Sequence, residues 1–398
     1  MNLNERVRLI KPSATMAVTE QAAALRAKGI ELIDFGAGEP DYDTPGNIKE
    51  AAVRALTAGQ TKYTPVGGTA VLKQAIIRKL QRDNGLTYEA SEVIASCGGK
   101  HSLYLAFQAL FGAGDEVIVP APYWVSYPDM LALAGARARI VQTKESEDFK
   151  MTAAALDAAV TPATRAVLIN SPSNPAGVAY DEREMTELAA VIAKRNLLVI
   201  SDNVYEMMVY GGFRAGAVLS VQPDLRDRTL IVNSVSKTYA MTGWRIGYTA
   251  GPREVIKAMS TLQGQMTSNP SAVAQAAAAE ALGGSQDSVP PMMREFERRR
   301  DFIVPALNQI PGVRCRMPQG AFYVFPNLAA HLNLRGSELK NGDDLAAYLL
   351  QEARVAVVGG TDFGYPEHIR ISYANSMENL RLGVERIAQA LAALKAKS

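Results

Sequence analysis

Apolar residues along the chain follow two alternating patterns, and the alternation predicts an α/β fold. Short, unbroken apolar runs at 92–96, 116–119, 165–170, 197–201 and 229–233 read as strands covered on both faces. Between them the spacing becomes helical. Met185, Leu188, Ala189 and Ile192 share one face of segment 182–195, as a crossover between parallel strands requires. Leu72, Ile76 and Leu80 mark another helix, and Leu103, Leu105, Phe107 and Leu110 a third. Further helices are expected at 16–28, 48–58 and the alanine-rich 273–282, and a strand at 31–35 opens into Gly-Ala-Gly-Glu-Pro at 36–40.

Beyond residue 300 the pattern changes to an α+β unit, with strands at 321–325, 355–358 and 368–372 and a helix at 342–352. The expected organisation is an N-terminal arm over 1–15, a small domain from 16–45 and 301–398, and a large domain over 46–300 with a mostly parallel central sheet flanked by helices. Lys-Pro-Ser-Ala-Thr at 11–15 reads as extended, because proline disfavours helix in the residue before it. The charge run at 294–301 reads as the solvated face of a helix linking the two domains.

Composition narrows the function. The 42 basic and 40 acidic residues leave a balance of +2, which argues against a nucleic-acid or anionic-membrane partner. Cys97 and Cys315 are too few for a disulfide framework or a zinc site and favour a reducing compartment. No apolar run approaches the roughly 20 residues that span a bilayer, and the N-terminus lacks the apolar core of a secretory signal, so a cytoplasmic location is expected. His101, His331 and His368 form no metal-ligand pair; a surface or capping role is expected for each, and no metal.

The candidate chemistry lies where the apolar runs stop. In an open α/β sheet, ligands bind outside the carboxyl ends of the strands. Trp124, Asn174, Asp202, Tyr205 and Lys237 each follow such an end. Lys237 belongs to Ser-Val-Ser-Lys-Thr-Tyr-Ala-Met-Thr-Gly-Trp-Arg at 234–245. A lysine among apolar groups and a second cation shifts toward the neutral amine that attacks carbonyls. A surface lysine shares this spacing, and Ser-x-x-Lys also serves acylases in which serine is the nucleophile.

The surrounding residues favour an imine-forming lysine. Ser234, Ser236 and Arg245 suit a phosphate, and Gly98-Gly99-Lys100 opens a helix with free amides but without P-loop spacing. A carboxylate at Asp202 keeps a pyridine nitrogen protonated, Tyr205 and Asn174 supply donors to a ring oxygen, and Trp124 stacks on the ring. That set fits pyridoxal 5'-phosphate. Arg370, in a short alternating strand, is suited to gripping a carboxylate bidentately or to an ordinary strand salt bridge.

These motifs, with Lys62-Tyr63, Pro-Tyr-Trp-Val-Ser-Tyr at 122–127, Asn-Ser-Pro-Ser-Asn-Pro-Ala-Gly at 170–177, Ser-Asp-Asn-Val-Tyr-Glu at 201–206 and His-Ile-Arg at 368–370, follow one another along nearly the whole chain. In that order they resemble the fold-type I aminotransferases, and most nearly the bacterial class I aspartate aminotransferases of the prokaryotic subgroup. The resemblance implies a homodimer with shared sites that moves an amino group between an amino acid and a 2-oxo acid by a ping-pong mechanism. Aspartate or glutamate, with oxaloacetate or 2-oxoglutarate, are the expected pairs.

By that resemblance Lys237 holds the cofactor and shuttles the proton, Asp202 pairs with the ring nitrogen, and Asn174 and Tyr205 bind the ring oxygen. Gly99, Lys100, Ser234, Ser236, Arg245 and the partner subunit's Tyr63 hold the phosphate. Arg370, Asn174 and the Gly38 backbone take the substrate α-carboxylate against Trp124, and Lys100, with Ser13 and Thr15 of the arm, takes the distal one. The resemblance also admits prephenate or aromatic substrates, and β-elimination or decarboxylation as other reactions of the same group. A regulatory module is not expected, since residues 1–15 supply no basic helix-turn-helix extension. Two positions depart from the family pattern: Asn203 where glutamate or alanine is usual, and Ala176 where threonine is usual.

Overall fold

The computed structural model describes residues 1–12, 14–334 and 338–397. The strands of the first part are β1 (Ile33–Asp34), β2 (Val93–Ser96), β3 (Glu116–Ala121), β4 (Arg137–Gln142), β5 (Thr164–Asn170), β6 (Leu198–Asp202), β7 (Thr229–Ser234) and β8 (Gly247–Ala250). They are followed by β9 (Tyr323–Val324), β10 (Val355–Ala356), β11 (Val358–Gly359) and β12 (Ile369–Ser372).

Strands β2 to β8 form a seven-stranded sheet in the order β2-β8-β7-β6-β5-β3-β4. Neighbours from β7 to β4 are parallel, and β8 is antiparallel to both β7 and β2. Six strands therefore point their carboxyl ends the same way, and β8 begins at that same edge. Alternate strand residues serve different cores: Val167, Ile169, Val199 and Ile231 join one, while Ala166, Leu168, Ile200, Leu230 and Val232 join the other. Both faces are covered, which explains why these strands read as unbroken apolar runs.

The helices Gly99–Leu110 and Arg253–Met266 pack together, as do Gly46–Thr57 and Ala70–Asn84 against Ala272–Gly283. A separate core gathers Phe35, Phe296, Phe322, Leu345, Ile371 and Leu391 around the β11-β12-β9 sheet, the β1-β10 pair and the helices Val289–Asn308 and Met377–Lys397. No described helix is long and apolar enough to cross a membrane.

Several expectations need correction. The charge run at 294–301 is not a solvated face throughout: Arg299 and Arg300 are buried. Arg299 pairs with Asp41 at 2.7 Å and Glu295 at 3.0 Å, and Arg300 pairs with Asp301 while donating to the Pro318 carbonyl at 3.2 Å. His331 and His368 are buried too, His331 with Nε2 3.0 Å from the Pro311 carbonyl and His368 stacked on Phe325 at 4.8 Å; His101 caps, accepting from the Cys97 N–H at 3.2 Å. The extended segment expected at 11–15 is cut short, because the helix Ala14–Ala27 begins inside it; earlier in the arm Glu5–Arg8 forms a helical turn. The single strand expected at 355–358 is two, which pair with β1 and β12 respectively.

Candidate active site

One cavity of about 490 Å³ opens at the shared carboxyl edge, lined by residues at or following the ends of β2, β3, β5, β6 and β7, by Arg245 just before β8, and by Gly38, Tyr323 and Arg370. Lys237 lies just beyond β7, and its Nζ donates to the Gly38 carbonyl. Burial lowers its pKa to about 8; Arg370 and Arg245 add to the fall, against the opposing pull of Glu39 and Asp202. A substantial part of this amine is therefore neutral near physiological pH, whereas an ordinary lysine is almost wholly charged.

Asp202 ends β6 and is 5% exposed. Burial raises its pKa to about 6, against hydrogen bonds that favour the carboxylate from the Tyr127 hydroxyl at 2.6 Å and the Val204 N–H at 3.3 Å, and against Lys237. A carboxylate held ionised in so dry a place is primed to pair with a cationic ring nitrogen. The Asn170 side chain fixes the same edge, donating to the Asp202 carbonyl at 3.0 Å and accepting from the Asn174 N–H at 2.9 Å.

Beyond Asn174 stands Arg370. Its Nη1 donates to Asn174 Oδ1 at 3.2 Å and its Nη2 to the Gly36 carbonyl at 2.8 Å, while Nε has no partner among the described residues. It is 1% exposed, lies 4.6 Å over the Tyr323 ring, and makes no ion pair with a described carboxylate. Strand β12 is buried at all four positions rather than alternating, and the bonds to Asn174 and Gly36, not the alternative of a strand salt bridge, hold Arg370. A buried guanidinium lacking its counter-charge is costly unless a ligand supplies one. Tyr205 donates to or accepts from Tyr323, the two hydroxyls being 2.9 Å apart.

At the other end of the cavity, the first amides of Gly99–Leu110 meet Ser234, Ser236 and Arg245. Two glycines permit this. Gly98 has φ +93°, and a Cβ there would lie 2.4 Å from Arg245 Nη2; at Gly247 it would lie 2.4 Å from the Gly98 backbone. The Lys100 ammonium leans over the Trp124 ring at 4.9 Å, and partial burial and Arg245 lower its pKa.

The cavity thus gathers Trp124, Asn174, Asp202, Tyr205 and Lys237, the residues placed at strand ends, together with Gly38, Gly99, Lys100, Ser234, Ser236, Arg245 and Arg370. Tyr63 is not among them; it is 90% exposed on an outer loop. Ser13 lies outside the described residues, as does the side chain of Thr15. Neither departure from the family pattern enters the cavity: Ala176 is buried and Asn203 accepts from Ser201 Oγ at 2.7 Å. Sequence reasoning missed Tyr127 and Tyr323. Tyr127 had a signal, sitting one helical step after Trp124, and its ring meets Trp124 edge-on at 5.3 Å. Tyr323 sits in an apolar strand among aromatic residues and reads as core.

Residues 30–387 match the family model described as Aminotransferase class I and II, and the chain belongs to that family. It is an aminotransferase. Among curated relatives it is 48% identical to an aspartate aminotransferase of Geobacillus stearothermophilus over 97% of this chain and 98% of that one. It is also 48% identical to a probable aspartate/prephenate aminotransferase of Rhizobium leguminosarum bv. phaseoli, again covering 97% and 98%. Its structure is similar to that of the aspartate aminotransferase from Rhizobium meliloti, with a TM-score of 0.94, 45% identity and 98% and 99% of the two chains covered.

Proposed function

We propose that this aminotransferase uses pyridoxal 5'-phosphate to exchange an amino group between aspartate or glutamate and a 2-oxo acid. The observation that carries the reading is the joint presence, in one cavity, of a partly neutral lysine, a buried carboxylate with a raised pKa and a buried arginine with no carboxylate partner among the described residues. The residues fit the group, since Asp202 suits its ring nitrogen, Tyr205 and the Asn174 amide its ring oxygen, and Ser234, Ser236, Arg245 and the Gly99 and Lys100 backbone its phosphate. When bound, it supplies an aldehyde that accepts the amino group and a ring that spreads the electrons released at the substrate carbon.

The chain's own groups do the rest. Arg370 and Asn174 hold the substrate α-carboxylate, which fixes the carbon whose proton is moved. Trp124 closes one side of the cavity. Lys237, near its neutral form, takes the proton from that carbon and returns it on the other side of the exchange. Lys100 at the rim receives a distal carboxylate.

With aspartate alone, the loaded protein is expected to release oxaloacetate stoichiometrically and no ammonia; ammonia release would instead favour elimination. Lys100→Ala is expected to reduce kcat/KM for aspartate roughly 10- to 100-fold, the worth of one hydrogen bond to a charge, and to leave an apolar amino acid nearly unaffected. Equal losses for both substrates would remove Lys100 from this role. Prephenate, a dicarboxylate, is a second candidate substrate, favoured by relatives named aspartate/prephenate aminotransferase. A homodimer in which Tyr63 completes the partner's phosphate site is supported by the exposure of Tyr63 and by the apolar Val53, Leu56 and Val71, which face outward on neighbouring helices.

A further inference from the structure

Behind the serine end of the cavity lies a charge pair that the amine-transfer chemistry does not use. Lys79, on the helix Ala70–Asn84, is 2% exposed, and its ammonium pairs with the Glu206 carboxylate while donating to Asn84 Oδ1 at 2.8 Å. Asn84 Nδ2 donates back to Glu206 Oε2 at 2.9 Å. Glu206 Oε1 also accepts from Asn233 Nδ2 at 2.6 Å, and Asn233 Oδ1 accepts from the Ser234 N–H at 2.7 Å. Ser234 Oγ then accepts from the Ser236 N–H at 3.3 Å. Lys79, Asn84 and Glu206 do not line the cavity, whereas Asn233, Ser234 and Ser236 do.

A largely buried ion pair stabilises a fold weakly, because desolvation offsets most of the attraction. Orienting a neighbour is a task it performs better. An ionised carboxylate only accepts hydrogen bonds, so Asn233 must turn its NH₂ toward Glu206, and its amide oxygen is thereby committed to the Ser234 N–H. We infer that Glu206 is a positioning residue for the cofactor phosphate, aligning the Ser234–Ser236 turn through Asn233 from outside the cavity. The inference rests on the proposed cofactor.

The test compares equilibrium dissociation constants for pyridoxal 5'-phosphate and for pyridoxal, which lacks the phosphate. Glu206→Ala is expected to weaken the phosphorylated ligand roughly tenfold, the effect of losing one aligned hydrogen bond, with pyridoxal changed less than about twofold. Lys79→Met combined with Glu206→Leu removes both charges, and Asp83, 3.8 Å from Lys79, keeps its pairing with Arg82 at 2.6 Å; the double variant should show the same phosphate-specific loss, which covers the case of a single variant that does not fold. Equal weakening of both ligands, or a folded double variant that binds the phosphorylated ligand as tightly as the native chain, would overturn the inference. A native chain that binds neither ligand would instead refute the cofactor reading.

Discussion

Lys237→Ala is expected to lower turnover of aspartate with 2-oxoglutarate on the order of a million-fold, the scale seen when a reacting nucleophile is removed. Two tasks disappear together: condensation with the carbonyl, and movement of the substrate proton. No neighbour can take over. Arg370 is held by Asn174 Oδ1 and the Gly36 carbonyl, Arg245 donates to the Thr242 carbonyl at 2.9 Å, and Lys100 leans over Trp124 at the rim. The native amine should also react with aldehydes in a pH-dependent way. Its pKa of about 8 makes it half neutral near that pH, whereas an ordinary lysine would be below about 1% neutral there. The rate of imine formation in the cofactor-free protein should therefore rise through pH 7 to 9 and level off. A rate still climbing steeply at pH 10 would mean that burial does not depress Lys237, and undiminished turnover in the alanine variant would remove it from the chemistry.

Asp202→Asn is expected to cost roughly 1000-fold in kcat, as for other groups that stabilise charge formed during reaction. It should also make the cofactor-free protein more stable. Burial raises the folded pKa of Asp202 from its ordinary 3.8 to about 6, so the folded chain binds this proton more tightly than the unfolded chain. Stability is therefore lost as pH rises from about 4 to about 6, and above that the full penalty remains, roughly 3 kcal/mol. Asparagine keeps the volume and an oxygen for the Tyr127 hydroxyl without the charge. Thermal unfolding without cofactor should give a higher Tm for the variant at pH 8 and little difference at pH 4. A variant that is slow but no more stable at pH 8 would contradict the account of a carboxylate held ionised against its surroundings.

The sequence disclosed the strand ends well because parallel strands covered on both faces leave unbroken apolar runs, and the polar residue that ends each run is easy to see. Asp202 after 197–201 and Lys237 after 229–233 are of this kind. Strands without that signal escaped notice. Edge strand β4 carries Arg137 and Arg139, both directed at Glu116, so it reads as polar. Strand β8 is Gly-Tyr-Thr-Ala, too short and mixed to register, although Gly247 in it permits the close approach to Gly98. Buried charges were misjudged for a related reason. Nothing local marks Arg299 as buried, because its partner Asp41 is 258 positions away. Tyr323 was hidden by its aromatic neighbours, and only the folded chain brings its hydroxyl to Tyr205.

The central claim is that one particular amine captures the cofactor, and covalent trapping tests it most directly. Cofactor-loaded protein would be reduced with borohydride, which fixes a lysine-bound cofactor permanently, then digested and mapped by mass spectrometry. The account predicts the added mass on the peptide containing Lys237 and on no other. A label on Lys100 or elsewhere, or protein that takes up the cofactor yet carries no label, would contradict it.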